Sequence, residues 1–482
     1  MNAPTPSSSD LSRWSQPGSS RVPFWAYTDE QLYQRELEKI FYGPHWCYVG
    51  LEVEIPNTGD FRLSHVGERQ VVMVRDRKKS GSDSKFVSER SSAISGPANG
   101  RPTKLESDPD FFDHGIRVVE NRCAHRGVRF CQNPQGNVRS FVCPYHQWTY
   151  KLNGDLAGLP FKDGVREGGC ANAEVQGGMP AGFDIKDHGL TKLRVAVLHG
   201  LVFATFSEDA EALEDYLGPN VMPWLDRIFK GPDGVRKLTL LGYNRQRIPG
   251  NWKLMMENIK DPYHPGLLHT WFVTFGLWRA DQKSRMVVDA HGRHAVMISR
   301  RNEGGQSPGT AGGKTDVTQG VTSFKANMTL HDDRLLDVVA EPWWTIQDPS
   351  HPGSEITPTV TMITLFPSLI IQQQVNSLST RHIVPRGQGE FDFIWTHFGF
   401  ADDTPEMTRR RLRQSNLFGP AGFVSADDGE VIEFSQAGFR QGGEAGATLC
   451  ELGGTGIEMT EHMVTETLIR SMYAYWKKVM AP

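Results

Sequence analysis

Cys123-Ala-His125-Arg-Gly127 and Cys143-Pro-Tyr-His146-Gln-Trp148 are two short knuckles, each pairing one thiol with one imidazole, with 17 residues between His125 and Cys143. Two soft thiolates and two imidazoles from two loops are the donor set of a metal centre. Zinc accepts the same four donors, but its common order places both Cys in one knuckle and both His in the other. Here each knuckle is mixed.

A mixed knuckle can give one ligand to each of two irons. Two Cys on one iron and two His on the other define a Rieske-type [2Fe–2S] cluster. Gly127 and Pro144 suit turns in which backbone N–H groups approach bridging sulfides closely. Cys123, His125, Cys143 and His146 are therefore the expected cluster ligands. Cys47, Cys131, Cys170 and Cys450 lack such partners and read as small buried side chains.

Around the knuckles the chain is strand-like. Short β-prone runs at 46–51, 70–75, 116–120, 140–142 and 148–151 are separated by Gly, Pro and Asn turns, which predicts a small antiparallel β domain. Residues 77–113 interrupt it with a Ser-, Gly-, Lys- and Asp-rich stretch, longer than a hairpin needs and expected to be a mobile surface excursion. From 190 onward, β runs at 191–206, 360–365 and 391–400 mix with helical patterns at 212–228, 405–417 and 461–479. An amphipathic helix is expected at 29–42. The class is α+β, divided as an arm and helix at 1–40, the cluster domain at 41–165, and a larger domain at 166–482.

A second set of donors lies in Glu257-Asn-Ile-Lys-Asp261-Pro-Tyr-His264-Pro-Gly-Leu-Leu-His269. Five residues on an ideal helix turn through roughly 140°, so His264 and His269 would diverge on a regular helix. Pro265-Gly266 can loosen that turn and let the rings converge. Two His and one carboxylate are the facial triad of non-haem Fe(II) oxygenases. Asp261 or a carboxylate elsewhere can complete it. An electron-carrying cluster in the same chain needs an acceptor, and a mononuclear iron supplies one.

With 482 residues and a formal charge of -4, the chain has room for two cores and no excess charge pointing to nucleic acid or a membrane. Arg409-Arg-Arg-Leu-Arg413 reads as a solvated or interface face. The longest apolar runs are too short to span a bilayer. The Ser- and Pro-rich residues 1–20 lack the apolar core of a secretory signal and read as a loose arm. Six cysteines with no disulfide pattern fit a reducing cytoplasm.

Both sites in this order resemble the large (α) subunit of Rieske non-haem iron aromatic-ring-hydroxylating oxygenases. The resemblance runs from about Arg21 to Met480 outside 77–113. It rests on the two knuckles, Asn251-Trp-Lys253 with Glu257-Asn258, Asp261-Pro-Tyr-His264 with His269, and Phe418-Gly-Pro-Ala-Gly-Phe-Val-Ser-Ala-Asp427-Asp428. It implies a helix-grip catalytic domain with a curved antiparallel sheet, with His264, His269 and Asp428 as iron ligands and Asp427 as the neighbouring alternative. Asp261 then becomes the catalytic bridge between His264 and a cluster histidine of the adjacent subunit, in a ring of at least three subunits.

Segments 20–27, 245–253, 262–271 and 372–377 place the chain nearest a branch acting on aromatic carboxylates. The implied reaction is 5-hydroxylation of salicylate to gentisate with O2. Ring dihydroxylation of a terephthalate- or anthranilate-like acid is the alternative. A protein that only transfers electrons is a different class, opposed by the length and the second metal site. Electrons come from NADH through a separate reductase and ferredoxin, since no dinucleotide-binding glycine fingerprint appears. A small β subunit in an α3β3 assembly is expected. Arg381 is the candidate carboxylate anchor, Gln372 and Asn376 candidate donors, and Met255, His294 and Trp278 candidate cavity walls.

Overall fold

The structure is a computed structural model describing residues 11–14, 18–77, 115–166, 168, 173–269, 283–300, 334, 337–422, 424–443 and 445–481. Most of the 77–113 excursion, Trp278 and Cys170 lie outside the described residues. The chain forms two compact units. One is Tyr48–Asp209, and the other joins Met1–Cys47 to Ala210–Pro482.

Among the described residues, the smaller unit has a seven-stranded sheet. Its spatial order is Cys47–Leu51, Leu201–Thr205, Lys192–Leu198, Ile116–Glu120, Arg69–Arg75, Asp60–Val66 and Gln135–Asn137. Phe61, Val72, Val74 and Val119 are buried in one core with Phe130, Phe141, Trp148 and Tyr150. A three-stranded sheet of Phe141–Val142, Thr149–Tyr150 and Leu156–Gly158 carries the second knuckle on its first turn.

The compact units divide the chain differently from the sequence-derived domains at two places. The 191–206 run is a hairpin, Lys192–Leu198 and Leu201–Thr205, turning on His199 and Gly200 with φ 54 and 83. Two positive φ values suit the tight turn that twisted strands need. Lys192 and Leu193 pair with Val119 and Val118, so the hairpin belongs to the cluster unit and not to a domain starting at 166. Strand periodicity shows that a strand forms, not which sheet receives it. The 1–40 segment is likewise part of the larger unit. Glu36 is fully buried there, 2.7 Å from Lys253 Nζ, and accepts from the indoles of Trp252 (2.9 Å) and Trp476 (2.8 Å).

The larger unit is built on a curled antiparallel sheet, seven-stranded among the described residues. Its order is Leu238–Ile248, Phe391–Phe400, Ser377–Pro385, Leu369–Gln374, Val360–Leu365, Ala295–Ser299 and Ser284–Val288. The Trp252–Lys260 helix packs on the strands Val360–Leu365 and Ser377–Pro385. Asn251 caps it, its side chain accepting from Lys253 N at 3.1 Å, which satisfies a free helix-start donor. The helix stops at Asp261, whose extended backbone is what a following proline favours.

The expected helices at 405–417 and 461–479 appear as Pro405–Phe418 and Thr467–Met480. The 29–42 helix begins at Glu30 with Asp29 as its cap. The 212–228 pattern splits into Leu213–Leu217 and Met222–Phe229 around Gly218 at φ 74. The basic cluster at 409–413 is not uniformly solvated. Arg411 is buried between Glu341 and Asp403, and Arg410 is buried against Asp337. No helix among the described residues is long and apolar enough to cross a membrane.

Candidate functional site

The two knuckles are nearly the same turn written twice. In the first, Cys123 N donates to Val128 O (2.8 Å) and Gly127 N to Cys123 O (2.9 Å). In the second, Cys143 N donates to Trp148 O and Gln147 N to Cys143 O, both at 2.9 Å. The fourth residue after each Cys has positive φ, 72 at Gly127 and 55 at Gln147. Both thiols are buried. The His125 and His146 rings stand 4.6 Å apart, and His125 stacks on Trp148 at 4.8 Å. His125 Nδ1 is buried without a hydrogen-bond partner. Two buried thiols, two adjacent imidazoles and an unsatisfied ring nitrogen form a donor set that fits the expected cluster. Tyr150 adds a hydroxyl 3.1 Å from Cys123 Sγ.

At the second site the histidines converge differently from the expected loosened helix. The Trp252–Lys260 helix ends, Asp261 turns the chain, and a short helix Pro265–Leu268 starts afresh with Pro at its first position. His264 and His269 are the residues flanking that single turn. Pro265 therefore initiates a helix rather than kinking one. The third candidate donor is Asp428, in the first turn of the Ser425–Gln441 helix. Ligand atoms of His264, His269 and Asp428 all lie within 4.8 Å of one another.

Asp428 Oδ1 lies 3.1 Å from His269 Nε2 and 3.6 Å from His264 Nε2, and it accepts from Asn258 Nδ2 at 3.1 Å. Asp261 Oδ2 faces His264 Nδ1 at 3.4 Å, while its Oδ1 accepts from Tyr263 N at 2.7 Å. Burial pushes the His264 imidazole down, but Asp261 and Asp428 outweigh it and lift the group to about 10. Burial would raise Asp428, yet the two imidazoles hold it well below the usual carboxylate range. The site is arranged to hold positive charge. Two imidazoles and a carboxylate are the donors a divalent iron takes in a facial triad, so the residues fit the ion.

A cavity of about 100 Å³ opens on this triad. Two rungs of the curled sheet line it. Ser284, Ser299, Val360 and Gln374 stand side by side across four strands, and Met286, Met297 and Met362 form the next row on the same face. Met463 adds a fourth thioether. Arg381 is the cation in this lining. It is buried, its Nε has no hydrogen-bond partner, and no carboxylate pairs with it among the described residues. Burial pushes the guanidinium down to about 9, against the pull of Asp428.

Several expected contacts are corrected. Gln372 is turned to Gln374, and Asn376 holds Val339 and Glu341. His294 bonds Tyr216 O and accepts from Phe366 N. Met255 is fully buried. None of these four is among the cavity-lining residues. Each has a buried environment of its own, which a sequence cannot tell from a cavity wall.

Two family descriptions match the chain: Rieske [2Fe-2S] domain at 45–168, and ring hydroxylating alpha subunit (catalytic domain) at 235–481. The large oxygenase component of salicylate 5-hydroxylase from Ralstonia sp is 57% identical, over 97% of this chain and 96% of its own length. The chain belongs to the Rieske ring-hydroxylating oxygenases. The anthranilate 1,2-dioxygenase large subunit of Burkholderia cepacia is 38% identical over 96% of the oxygenase chain and 93% of its own. Naphthalene 1,2-dioxygenase from Rhodococcus sp. shares the fold, with a TM-score of 0.68 at 23% identity over 95% and 94% of the two chains.

This oxygenase therefore combines a Rieske [2Fe–2S] domain with a non-haem iron catalytic domain. Its sequence offered candidate metal donors but concealed most of the cavity. The methionine row carries no motif, because its residues meet only across strands.

Proposed function

We propose that this oxygenase subunit hydroxylates a monocyclic aromatic carboxylate, salicylate at position 5. One observation carries the reading: a buried guanidinium without a carboxylate partner, Arg381, in the same cavity as the His264, His269 and Asp428 triad. Burying an unpaired cation is costly, and a substrate carboxylate would relieve that cost. The methionine row offers a soft, adaptable surface for the ring. Ser284, Ser299 and Gln374 supply neutral polar groups for a ring substituent. The 57% identical salicylate 5-hydroxylase component supports the same substrate.

His264, His269 and Asp428 would hold the mononuclear iron, and Cys123, His125, Cys143 and His146 the cluster. Together these groups supply O2 reduction with electrons that originate in NADH. The chain's own residues hold the acid, orient the ring and exclude water. Asp261 Oδ2 faces His264 Nδ1 at 3.4 Å, with a side chain still 20% exposed. That leaves it placed to accept from a cluster histidine of an adjacent subunit, so we assign an α3 ring and, with small β subunits, an α3β3 assembly. The cytoplasm is the assigned compartment. The overall reaction balances as salicylate, O2, NADH and a proton giving gentisate, water and NAD+.

The test is product analysis of the purified oxygenase with ferredoxin, reductase, NADH and a panel of salicylate, anthranilate, benzoate and terephthalate. Gentisate formed with one NADH consumed per salicylate is the expected result. A cis-diol from another acid, with salicylate untouched, would overturn the assignment.

A further inference from the structure

The Asp261 role gives His264 a carboxylate behind its ring. His269 has one as well. Asp427 Oδ2 lies 3.2 Å from His269 Nδ1, on the ring edge away from Nε2, which faces Asp428 Oδ1 at 3.1 Å. His269 is thus held between two successive residues of one helix turn. Neighbouring helical side chains point roughly 100° apart, so Asp427 and Asp428 cannot aim at one point. They bracket the imidazole instead.

The surroundings separate their roles. The Asp428 side chain is 5% exposed and accepts from Asn258. The Asp427 side chain is 42% exposed and lies outside the close triad. A carboxylate on Nδ1 takes the ring N–H as a hydrogen-bond donor, fixes the tautomer and leaves the Nε2 lone pair free for a metal. It also makes the imidazole a stronger donor.

We infer that Asp427 is the positioning residue of His269, the counterpart of Asp261 on His264. The inference rests on the reading that His264, His269 and Asp428 hold the iron. Asp427 touches neither substrate nor metal and acts through the ring. The competing role is electrostatic: an acidic residue in the first helical turn is favoured by the helix dipole, whatever it bonds. The two roles part at the amide. Asp427→Asn removes the charge but keeps an oxygen able to accept from Nδ1–H, while Asp427→Ala and Asp427→Ser remove both the charge and an acceptor of the right reach.

The experiment strips the mononuclear iron from the purified protein with a chelator, keeps the cluster, and titrates back Fe(II), or Co(II) read by its visible absorption. Asp427→Ala and Asp427→Ser should weaken metal binding about 10–100-fold, and Asp427→Asn should recover most of the loss. Cluster absorption should be unchanged in all three. The Ser variant keeps a polar group at the helix start and so guards against a folding defect in the Ala variant. Parent-like affinity in Ala and Ser, or an Asn variant as weak as Ala, would overturn the inference. Asp428→Ala tests the underlying reading separately. It should bind no metal, and metal retained there sinks the ligand assignment itself.

Discussion

Arg381 and Trp395 stand opposite each other on adjacent strands, and the guanidinium lies 3.8 Å from the centroid of the indole ring. An aromatic face holds a cation without neutralising it, worth about 2 kcal/mol when the pair is desolvated. A carboxylate partner would have consumed the charge. The ring leaves it available to the cavity.

Replacing this cation should therefore damage acid binding before chemistry. A hydrogen bond to a charged group contributes about 1.5–3 kcal/mol, so Arg381→Met should raise KM for the aromatic acid about 10–100-fold, with a smaller effect on kcat. Arg381→Lys should restore little, because a point charge on a flexible stem lacks the flat face that stacks on Trp395. Steady-state kinetics in the reconstituted system checks both. An unchanged KM in the Met variant would remove Arg381 as the anchor.

Tyr150 and Cys123 give a second, spectroscopic test. The Tyr150 hydroxyl accepts from Ala124 N at 3.2 Å, which leaves its own proton free to point at Cys123 Sγ, 3.1 Å away. Hydrogen bonds to cluster sulfurs raise the reduction potential. A bond of ~1 kcal/mol corresponds to about 40 mV for one electron, so Tyr150→Phe should lower the cluster potential by about that amount. Redox titration followed by cluster absorption measures it, and a potential equal to the parent's would show that the hydroxyl points elsewhere.

The knuckles were legible because their chemistry is local: six residues fold each turn and present the donors. Asp428 was legible only as one of two neighbours, since a helix start does not reveal which carboxylate faces inward. In the structure Asp428 lies between the imidazoles and Asp427 behind one of them. The cavity was largely hidden. The strands Leu369–Gln374 and Ser377–Pro385 are buried at every residue, so their sequences lack the alternation that assigns faces. Gln372 and Gln374 share a face, yet one lines the cavity and the other supports it. Register does not separate them either, since Gln372 pairs with Met362 and Gln374 with Val360; the turn of the Gln372 amide onto Gln374 does.

Glu36 and Lys253 form a buried ion pair that joins the N-terminal helix to the catalytic unit, and two indole N–H groups complete the carboxylate's bonding. Breaking such a pair leaves a buried charge uncompensated, at a cost of about 3–5 kcal/mol. Glu36→Ala should lower the urea midpoint of the catalytic unit accordingly. Exchanging the whole pair, with Glu36→Leu and Lys253→Met together, should cost less than the single change. Chemical unfolding followed by tryptophan fluorescence gives both values, and a double variant worse than Glu36→Ala would contradict the argument.

Glu257 makes stability depend on pH in a defined direction. Burial pushes its carboxyl from 4.5 up to about 7, although the Tyr473 hydroxyl, which donates to Oε1, and Lys253 pull it back. A folded pKa above the unfolded value means the native state binds more protons between the two. The contribution of this group is thus complete below about pH 4.5 and is lost as pH rises through about 7. The slope cannot exceed about 1.4 kcal/mol per pH unit for one group. Glu257→Gln removes the titration while keeping an oxygen for Tyr473. The variant should be less stable than the parent, or equal to it, at pH 5, should gain on it up to about pH 7, and the gain should level off above that. Urea midpoints at successive pH values in this range provide the measurement. A constant difference between the two proteins would show that Glu257 ionises in the fold as it does in the unfolded chain.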